Sequence, residues 1–166
     1  MPKILIVYDS ITGNTEKMAR EIGEGIKEVK GVDWEMKKVG QAKIQDLIAA
    51  DAIMMGSPTY YGEMSSKLKA FIDSSAAIHG KLEGKVGAAF TSAGGTASGA
   101  ETTLLSILQT MLVHGMIVQG RSDDKHYGAA CVEAPKDEDL ENCRKLGRRT
   151  AELTLKVSSA ATKKIP

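Results

Sequence analysis

One stretch near the start of the chain constrains its fold more than any other: an apolar strand that leads through a short polar loop into a helix. Ile4 to Val7 form an unbroken apolar run, which is typical of a strand covered on both faces of a parallel sheet. Gly13 and the hydroxyls of Ser10, Thr12 and Thr15 follow at once. Since a helix N-terminus offers free N–H groups and roughly half a positive charge, the stretch predicts an anion site.

The loop lacks both common nucleotide-binding patterns. No Lys or Arg lies between Asp9 and Thr15, so it is not an ATP-binding P-loop, and Gly13 stands alone, which excludes Gly-x-Gly-x-x-Gly. A phosphate bound here would be held by backbone dipoles and hydroxyls instead of ion pairs. A simple capped turn between a strand and a helix is the alternative explanation.

Bulk properties exclude several function classes. The 166 residues are enough for one domain with a full core. Lys and Arg total 22 against 21 for Asp and Glu, which gives no field for nucleic acid or an anionic membrane. Cys131 and Cys143 form no Cys-x-x-Cys pair, and no signal peptide precedes the first strand, so we expect a reduced, cytoplasmic protein.

Strand and helix patterns alternate along the whole chain. The predicted strands are residues 4–7, 32–39, 52–57, 86–91 and 116–118. The predicted helices are residues 14–30, 44–50, a segment around Leu68, residues 100–114 and residues 137–157. This alternation predicts an α/β protein with a parallel sheet and helices on both faces. We expect one domain over residues 1–166, with residues 158–166 as a frayed tail.

Three loops rich in glycine and hydroxyls each follow a predicted strand. They cover residues 10–15, 58–62 and 92–99. Because ligands of open α/β sheets bind at the carboxyl ends of the strands, we expect these loops to form one site. The first would hold a phosphate, and Tyr60 and Tyr61 of the second would offer a flat wall to a ring system, although both tyrosines are also compatible with a plain turn.

Longer motifs resemble two related families. Ser10-Ile11-Thr12-Gly13-Asn14-Thr15, with Tyr8 before it and Ala19 after it, resembles the phosphate loop of flavodoxins. Ser57-Pro58-Thr59-Tyr60-Tyr61-Gly62-Glu63-Met64-Ser65 is similar to the flavodoxin-like NAD(P)H:quinone oxidoreductases, also called tryptophan-repressor-binding-protein-like. The match continues through Ser92-Ala93-Gly94-Gly95, Glu101-Thr102-Thr103, His114-Gly115-Met116 and Tyr127-Gly128-Ala129. The resemblance therefore covers nearly the whole chain.

The resemblance implies a flavodoxin-like doubly wound sheet of five parallel strands in the order 2-1-3-4-5, with non-covalently bound FMN. By the resemblance, the FMN phosphate is bound by Ser10, Ile11, Thr12, Gly13, Asn14 and Thr15. The resemblance also implies that Thr59, Tyr60 and Tyr61 face the ring, that Pro58 and Gly62 beside them bind the cofactor, and that Ser92, Ala93, Gly94, Gly95 and Thr96 line the pyrimidine side. His114 would lie near the flavin as a catalytic residue, although a histidine at a helix end is equally explained by the helix dipole.

Several features distinguish the possible functions. Residues 92–99 contain no aromatic residue, so one face of the ring would be open to a nicotinamide or a quinone, which favours an NAD(P)H:quinone oxidoreductase. The alternative is a flavodoxin-type electron carrier between proteins, but such carriers are strongly acidic and this chain is nearly neutral. A regulatory FMN-binding protein is a third possibility. Residues 40–51 and 120–127 are shorter than in the quinone oxidoreductases, which leaves a homodimer or a homotetramer open.

Other classes with a similar architecture do not fit. A phospho-receiver domain needs an Asp at the end of its third strand, where Met55-Gly56-Ser57 stands, and neither cysteine begins the Cys-x5-Arg loop of small phosphatases. Neither His114 nor His126 has a Cys or Asp partner at metal-ligand spacing, so we expect no metal site.

Overall fold

The computed structural model describes residues 1–162, with side chains described up to residue 160. Its strands are β1 (Lys3–Tyr8), β2 (Asp33–Lys38), β3 (Ala52–Tyr60), β4 (Glu63–Met64), β5 (Val86–Ala93), β6 (Ile117–Val118) and β7 (Ala129–Val132). Its helices are α1 (Asn14–Lys27), α2 (Ile44–Ala49), α3 (Ser66–Ser74), α4 (Ala100–Val113) and α5 (Asp137–Thr162), and a 3-10 turn covers Ser75–Ile78.

The strands form one sheet whose central ladders are parallel. Its order is β2-β1-β3-β5-β6, with β7 also paired to β5 and β4 paired antiparallel to β3. If β6 and β7 are counted together as the last strand and the short β4 is set aside, this is the predicted order 2-1-3-4-5. The doubly wound α/β fold is therefore confirmed.

Helices cover both faces of the sheet because neighbouring residues of a strand point to opposite sides. Ile4 and Ile6 of β1 pack with Met18 and Ile22 in the core beneath α1 and α5. Leu5 of β1 packs in a second core beneath α2, α3 and α4. Both cores flank β1, which explains the unbroken apolar run in the sequence.

Helices α1 and α5 approach so closely that their contact requires glycine. A Cβ added to Gly25 would lie 2.0 Å from the carbonyl oxygen of Arg144, and one added to Gly147 would lie 2.1 Å from that of Ile22. This packing fixes the helix that follows the first loop.

The last strand differs from the prediction of residues 116–118. It consists of two pieces, β6 beside Val86 and Gly87 and β7 beside residues 90–93, joined by residues 119–128. β7 has a weak sequence signal, because its four residues are short of the usual strand length and include two alanines.

Helix α5 is longer than predicted. It continues past Val157 to Thr162, so the first five residues of the expected tail are helical, and residues 163–166 lie outside the described residues. None of the helices described in residues 1–162 combines the length and apolar character that crossing a membrane requires.

Candidate functional site

The first loop exposes the N-terminus of α1 at the carboxyl edge of the sheet. Gly13 is the N-cap residue, with φ of 94°, and its N–H donates to Ser10 Oγ over 3.2 Å. Ile11 and Thr12 are exposed, and no side chain among the described residues caps this helix. The N–H groups of the first helical turn have no partner within the helix, so they are available to an anion.

Thr15 joins the first loop to the third. Its hydroxyl is buried and lies 2.8 Å from the hydroxyl of Ser92, which is also buried. A hydroxyl donates one hydrogen bond and accepts others, so each keeps hydrogen-bonding capacity beyond this contact. Sequence reasoning placed these two residues in separate parts of the site, and the structure brings them into contact.

The second loop is shorter than predicted because β3 continues through Tyr60. Pro58 and Thr59 therefore belong to the strand, and only Tyr61 and Gly62 form the turn into β4. Their φ angles of 50° and 80° are those of a type I′ hairpin turn. Tyr61 is fully exposed, at 107%, and Tyr60 is 41% exposed, so both rings are available as a contact surface.

Hydroxyl groups fix the end of β3 against β5. Thr91 Oγ1 donates to the carbonyl of Ser57 over 2.7 Å, and Thr59 Oγ1 lies 2.9 Å from Thr91 Oγ1. The N–H of Ser65 donates to Ser57 Oγ over 2.8 Å, which ties the start of α3 to the same strand. The end of β3, just before the Tyr61–Gly62 turn, is thus tied both to β5 and to the start of α3.

The third loop leaves open space at the carboxyl end of β5. It starts at Gly94, because Ser92 and Ala93 complete the strand. A Cβ on Gly94 or Gly95 would meet no atom within 4 Å, and Thr96 is exposed.

The second and third loops meet at Gly62. Thr102 Oγ1, in the first turn of α4, donates to the carbonyl of Gly62 over 2.6 Å. A Cβ added to Gly99 would lie 2.4 Å from the Cα of Gly62. The structure thus brings all three predicted loops into direct contact at one edge of the sheet.

His114 is not part of this cluster. It caps the far end of α4, whose 14 residues span roughly 20 Å, and nearby Ile117 pairs with Val86 at the start of β5. Its Nε2 lies 2.7 Å from Ser75 Oγ. Helix α4 carries His114 to the amino edge of the sheet, away from the three loops of the same chain, and its catalytic role beside the flavin stays a prediction.

Two further features were missed from the sequence. Asp9 is 6% exposed at the end of β1, and its N–H donates to the carbonyl of Gly56. The sequence patterns indicated no role for Thr102, although it lies in the Glu101-Thr102-Thr103 motif. Its contact is tertiary, so no spacing pattern could have indicated it.

A cavity of about 790 Å³ lies away from these loops. It is lined by residues 119–123 together with Lys145, Arg148 and Arg149 of α5. The candidate site is therefore an open crevice between loops and not this cavity.

Comparison with known proteins decides the family. Residues 35–123, more than half of the chain, match the family described as NADPH-dependent FMN reductase. The chain is 39% identical over 160 residues to a flavodoxin of Aquifex aeolicus, covering 92% of this chain and 86% of that protein. It is 37% identical over 191 residues to an NAD(P)H dehydrogenase (quinone) of Archaeoglobus fulgidus, covering 95% and 100%. The chain belongs to the flavodoxin-like family of FMN proteins.

A solved structure agrees with this assignment. The flavodoxin, WrbA-like protein of Agrobacterium tumefaciens superimposes with a TM-score of 0.80 at 26% identity, covering 94% of this chain and 99% of that one. The predicted resemblance to flavodoxins and to quinone oxidoreductases is therefore confirmed. The donor groups at the carboxyl edge fit FMN, since the first loop offers N–H groups and hydroxyls to a phosphate and the turn offers aromatic surface to a ring.

Proposed function

We propose that this flavodoxin-like protein is an FMN-dependent oxidoreductase that passes reducing equivalents from NAD(P)H to a quinone-like acceptor. The observation that carries the proposal is the contact of an uncapped helix N-terminus, an exposed aromatic turn and a glycine loop at one edge of the sheet. When bound, FMN supplies reversible electron transfer, and the protein supplies position and electrostatics.

In this proposal the first loop binds the phosphate. Ser10, Thr12 and Thr15 contribute hydroxyls, and Ile11, Gly13 and Asn14 contribute backbone. Support comes from the exposure of Thr12, the left-handed conformation of Gly13 and the uncapped first turn of α1. Because no Lys or Arg lies in this loop, the affinity would depend on hydrogen bonds and the helix dipole.

The ring would lie between the second and third loops. Pro58, Thr59, Tyr60, Tyr61 and Gly62 would face one side of it, and residues 92–96 its pyrimidine edge. The third loop contains only small residues, which leaves the other face of the ring accessible. An accessible face suits a nicotinamide and a quinone that exchange electrons with the ring in turn.

A flavodoxin-type carrier without NAD(P)H activity is the second candidate. It is favoured by the 39% identity to a flavodoxin over most of the chain. The balance of 22 basic and 21 acidic residues argues against it, since steering toward a basic partner needs net negative charge.

Reconstitution with FMN tests the function directly. NADH or NADPH would be added without oxygen while the visible flavin absorbance is followed, and a quinone would then be added. Bleaching by the nicotinamide and recovery with quinone are expected for the oxidoreductase. Absorbance that NAD(P)H leaves unchanged but a flavodoxin reductase bleaches would establish the carrier. Failure to retain FMN would overturn both.

Assembly and surroundings are part of the proposal. We expect residues 1–166 to act as one domain that associates into a homodimer or homotetramer. Support comes from the exposed apolar side chains of Leu105, Leu112 and Val113 on α4 and of Ile117 on β6, and from the lack of charged residues in α4 after Glu101. Light scattering measures the assembly. Both cysteines are free and buried, which is in keeping with a reducing cytoplasm.

A further inference from the structure

We propose that Thr102 is a positioning residue for the flavin ring. Its hydroxyl holds the Gly62 carbonyl against α4 and thereby keeps the Tyr61–Gly62 turn in the conformation on which the ring packs. The inference rests on the proposed FMN site and adds a residue from outside the three loops to it.

The contact is specific in its geometry. Thr102 Oγ1 lies 2.6 Å from the carbonyl oxygen of Gly62 and 3.0 Å from that of Gly99. A hydroxyl has one proton, so the shorter contact to Gly62 takes the stronger hydrogen bond. Gly99 has φ of 104°, and any side chain at this position would collide with Gly62. Two glycines and one hydroxyl thus form a clamp between the turn and α4.

The turn needs such a clamp because its own conformation is unfavourable. Tyr61 has φ of 50°, a left-handed backbone conformation that residues other than Gly, Asn and Asp rarely adopt. Its ring is fully exposed, so side-chain packing does not hold it. Strained residues persist only when their surroundings determine the conformation, and here those surroundings are the two-residue strand β4 and the clamp.

The clamp also sets which backbone groups face the crevice. Since the Gly62 carbonyl is engaged by α4, it is not free to turn toward a ring lying beside Tyr61. This hydrogen bond would make the Tyr61–Gly62 turn rigid before the flavin binds, and such preorganisation raises affinity.

Three matched variants test the inference. Thr102→Val keeps the side-chain shape and removes the hydrogen bond, whereas Thr102→Ser keeps the hydrogen bond. Thr103→Val is the control, because the neighbouring Thr103 hydroxyl is buried and has no hydrogen-bond partner among the described residues. Affinities for FMN and for riboflavin would be measured by flavin fluorescence, and amide hydrogen exchange at residues 61–63 would be measured without flavin.

The ratio of FMN to riboflavin affinity distinguishes a defect in the turn from a defect in the phosphate loop. Thr102→Val should weaken FMN and riboflavin by the same factor, roughly threefold to tenfold, because both ligands carry the ring. It should also speed amide exchange in the turn. Thr102→Ser should restore both properties, and Thr103→Val should match the wild type. A phosphate-loop variant such as Thr12→Ala should instead weaken FMN far more than riboflavin.

Two results would overturn the clamp: wild-type affinity and exchange in Thr102→Val, or a Thr102→Ser variant as impaired as Thr102→Val. If the wild type binds neither flavin, the proposed function fails. The exchange rates in the turn then decide by themselves whether Thr102 holds it.

Discussion

At the scale of single residues, Thr12 and Thr15 belong to the same loop but have different surroundings. Thr12 is exposed, whereas Thr15 is buried and paired with Ser92. We expect Thr12→Ala to weaken FMN by about 1.5–3 kcal/mol, as for a hydrogen bond to a charged group, with little effect on the stability of the apoprotein. Thr15→Ala should weaken FMN similarly and also destabilise the apoprotein by about 1–3 kcal/mol, because the buried Ser92 hydroxyl loses its partner.

Fluorescence titration and thermal unfolding without flavin measure these two effects separately. Unchanged FMN affinity in both variants would rule out the first loop as the phosphate site. Equal stability losses in both would mean that the Thr15–Ser92 contact contributes nothing to folding.

His114 gives the molecule a pH-dependent element far from the crevice. Burial lowers its pKa below 6.5, and the neighbouring His79 ring, 5.9 Å away, lowers it further. Ser75 Oγ donates to the Ile72 carbonyl, so it accepts from His114 Nε2, and the buried Nδ1 has no partner within the described residues. The folded protein therefore favours a neutral ring.

The sign of the effect follows from linkage. Because the folded pKa lies below the unfolded one, stability is complete above the unfolded pKa and is lost as pH falls toward the folded pKa. We expect His114→Gln to lose less stability than the wild type between about pH 7.5 and about pH 5.5. Urea unfolding at each pH measures this, and parallel curves for the two proteins would contradict it.

At the scale of elements, the packing of α1 on α5 holds the helix that begins at the first loop. A methyl group at Gly147 would collide with the backbone of Ile22, so we expect Gly147→Ala to destabilise the protein by about 1–3 kcal/mol despite the better helix propensity of alanine. Gly40→Ala is the control, since a Cβ there meets nothing within 4 Å. Denaturant unfolding compares them, and a Gly147→Ala protein as stable as the control would show that the helices can separate freely.

The turn of the β3–β4 hairpin exposes the aromatic ring of Tyr61 at a cost in stability, because Tyr61 has a left-handed conformation. Asparagine tolerates the left-handed conformation that strains Tyr61 and is preferred before glycine in type I′ turns. We therefore expect Tyr61→Asn to stabilise the apoprotein by about 0.5–1 kcal/mol while weakening flavin and altering its absorbance. Thermal unfolding and flavin titration of the same preparation check both changes. A variant that gains stability and keeps flavin unchanged would place the ring away from Tyr61.

The elements also show why sequence predicted part of the site. The β1–loop–α1 unit was predictable because its strand, glycine and helix are contiguous and periodic. The hairpin was missed because β4 has two residues and its turn reads Tyr-Gly, outside the common Asn-Gly and Asp-Gly signals. The Thr102 contact joins residues 40 positions apart, and the distance of His114 from the crevice depends on the direction of α4, which local patterns alone do not give.

At the scale of the whole molecule, the crevice is assembled from segments that lie far apart in the chain. Thr15 and Ser92 are 77 positions apart, and Gly62 and Thr102 are 40 apart. These contacts exist only when the sheet has formed, so an unfolded chain would bind FMN negligibly. A ligand that binds only the folded state must raise the free energy of unfolding.

We therefore expect FMN to stabilise the protein in proportion to the logarithm of its concentration. At a hundred times the dissociation constant the gain should be about 2.7 kcal/mol, which corresponds to a rise in Tm of roughly 5–11 °C for a domain of this size. Scanning calorimetry over a series of FMN concentrations measures it. Thr12→Ala is the matched variant: its Tm without flavin should equal the wild type, and its curve should be displaced to higher FMN concentration. A Tm that does not depend on FMN concentration would contradict binding to the assembled loops.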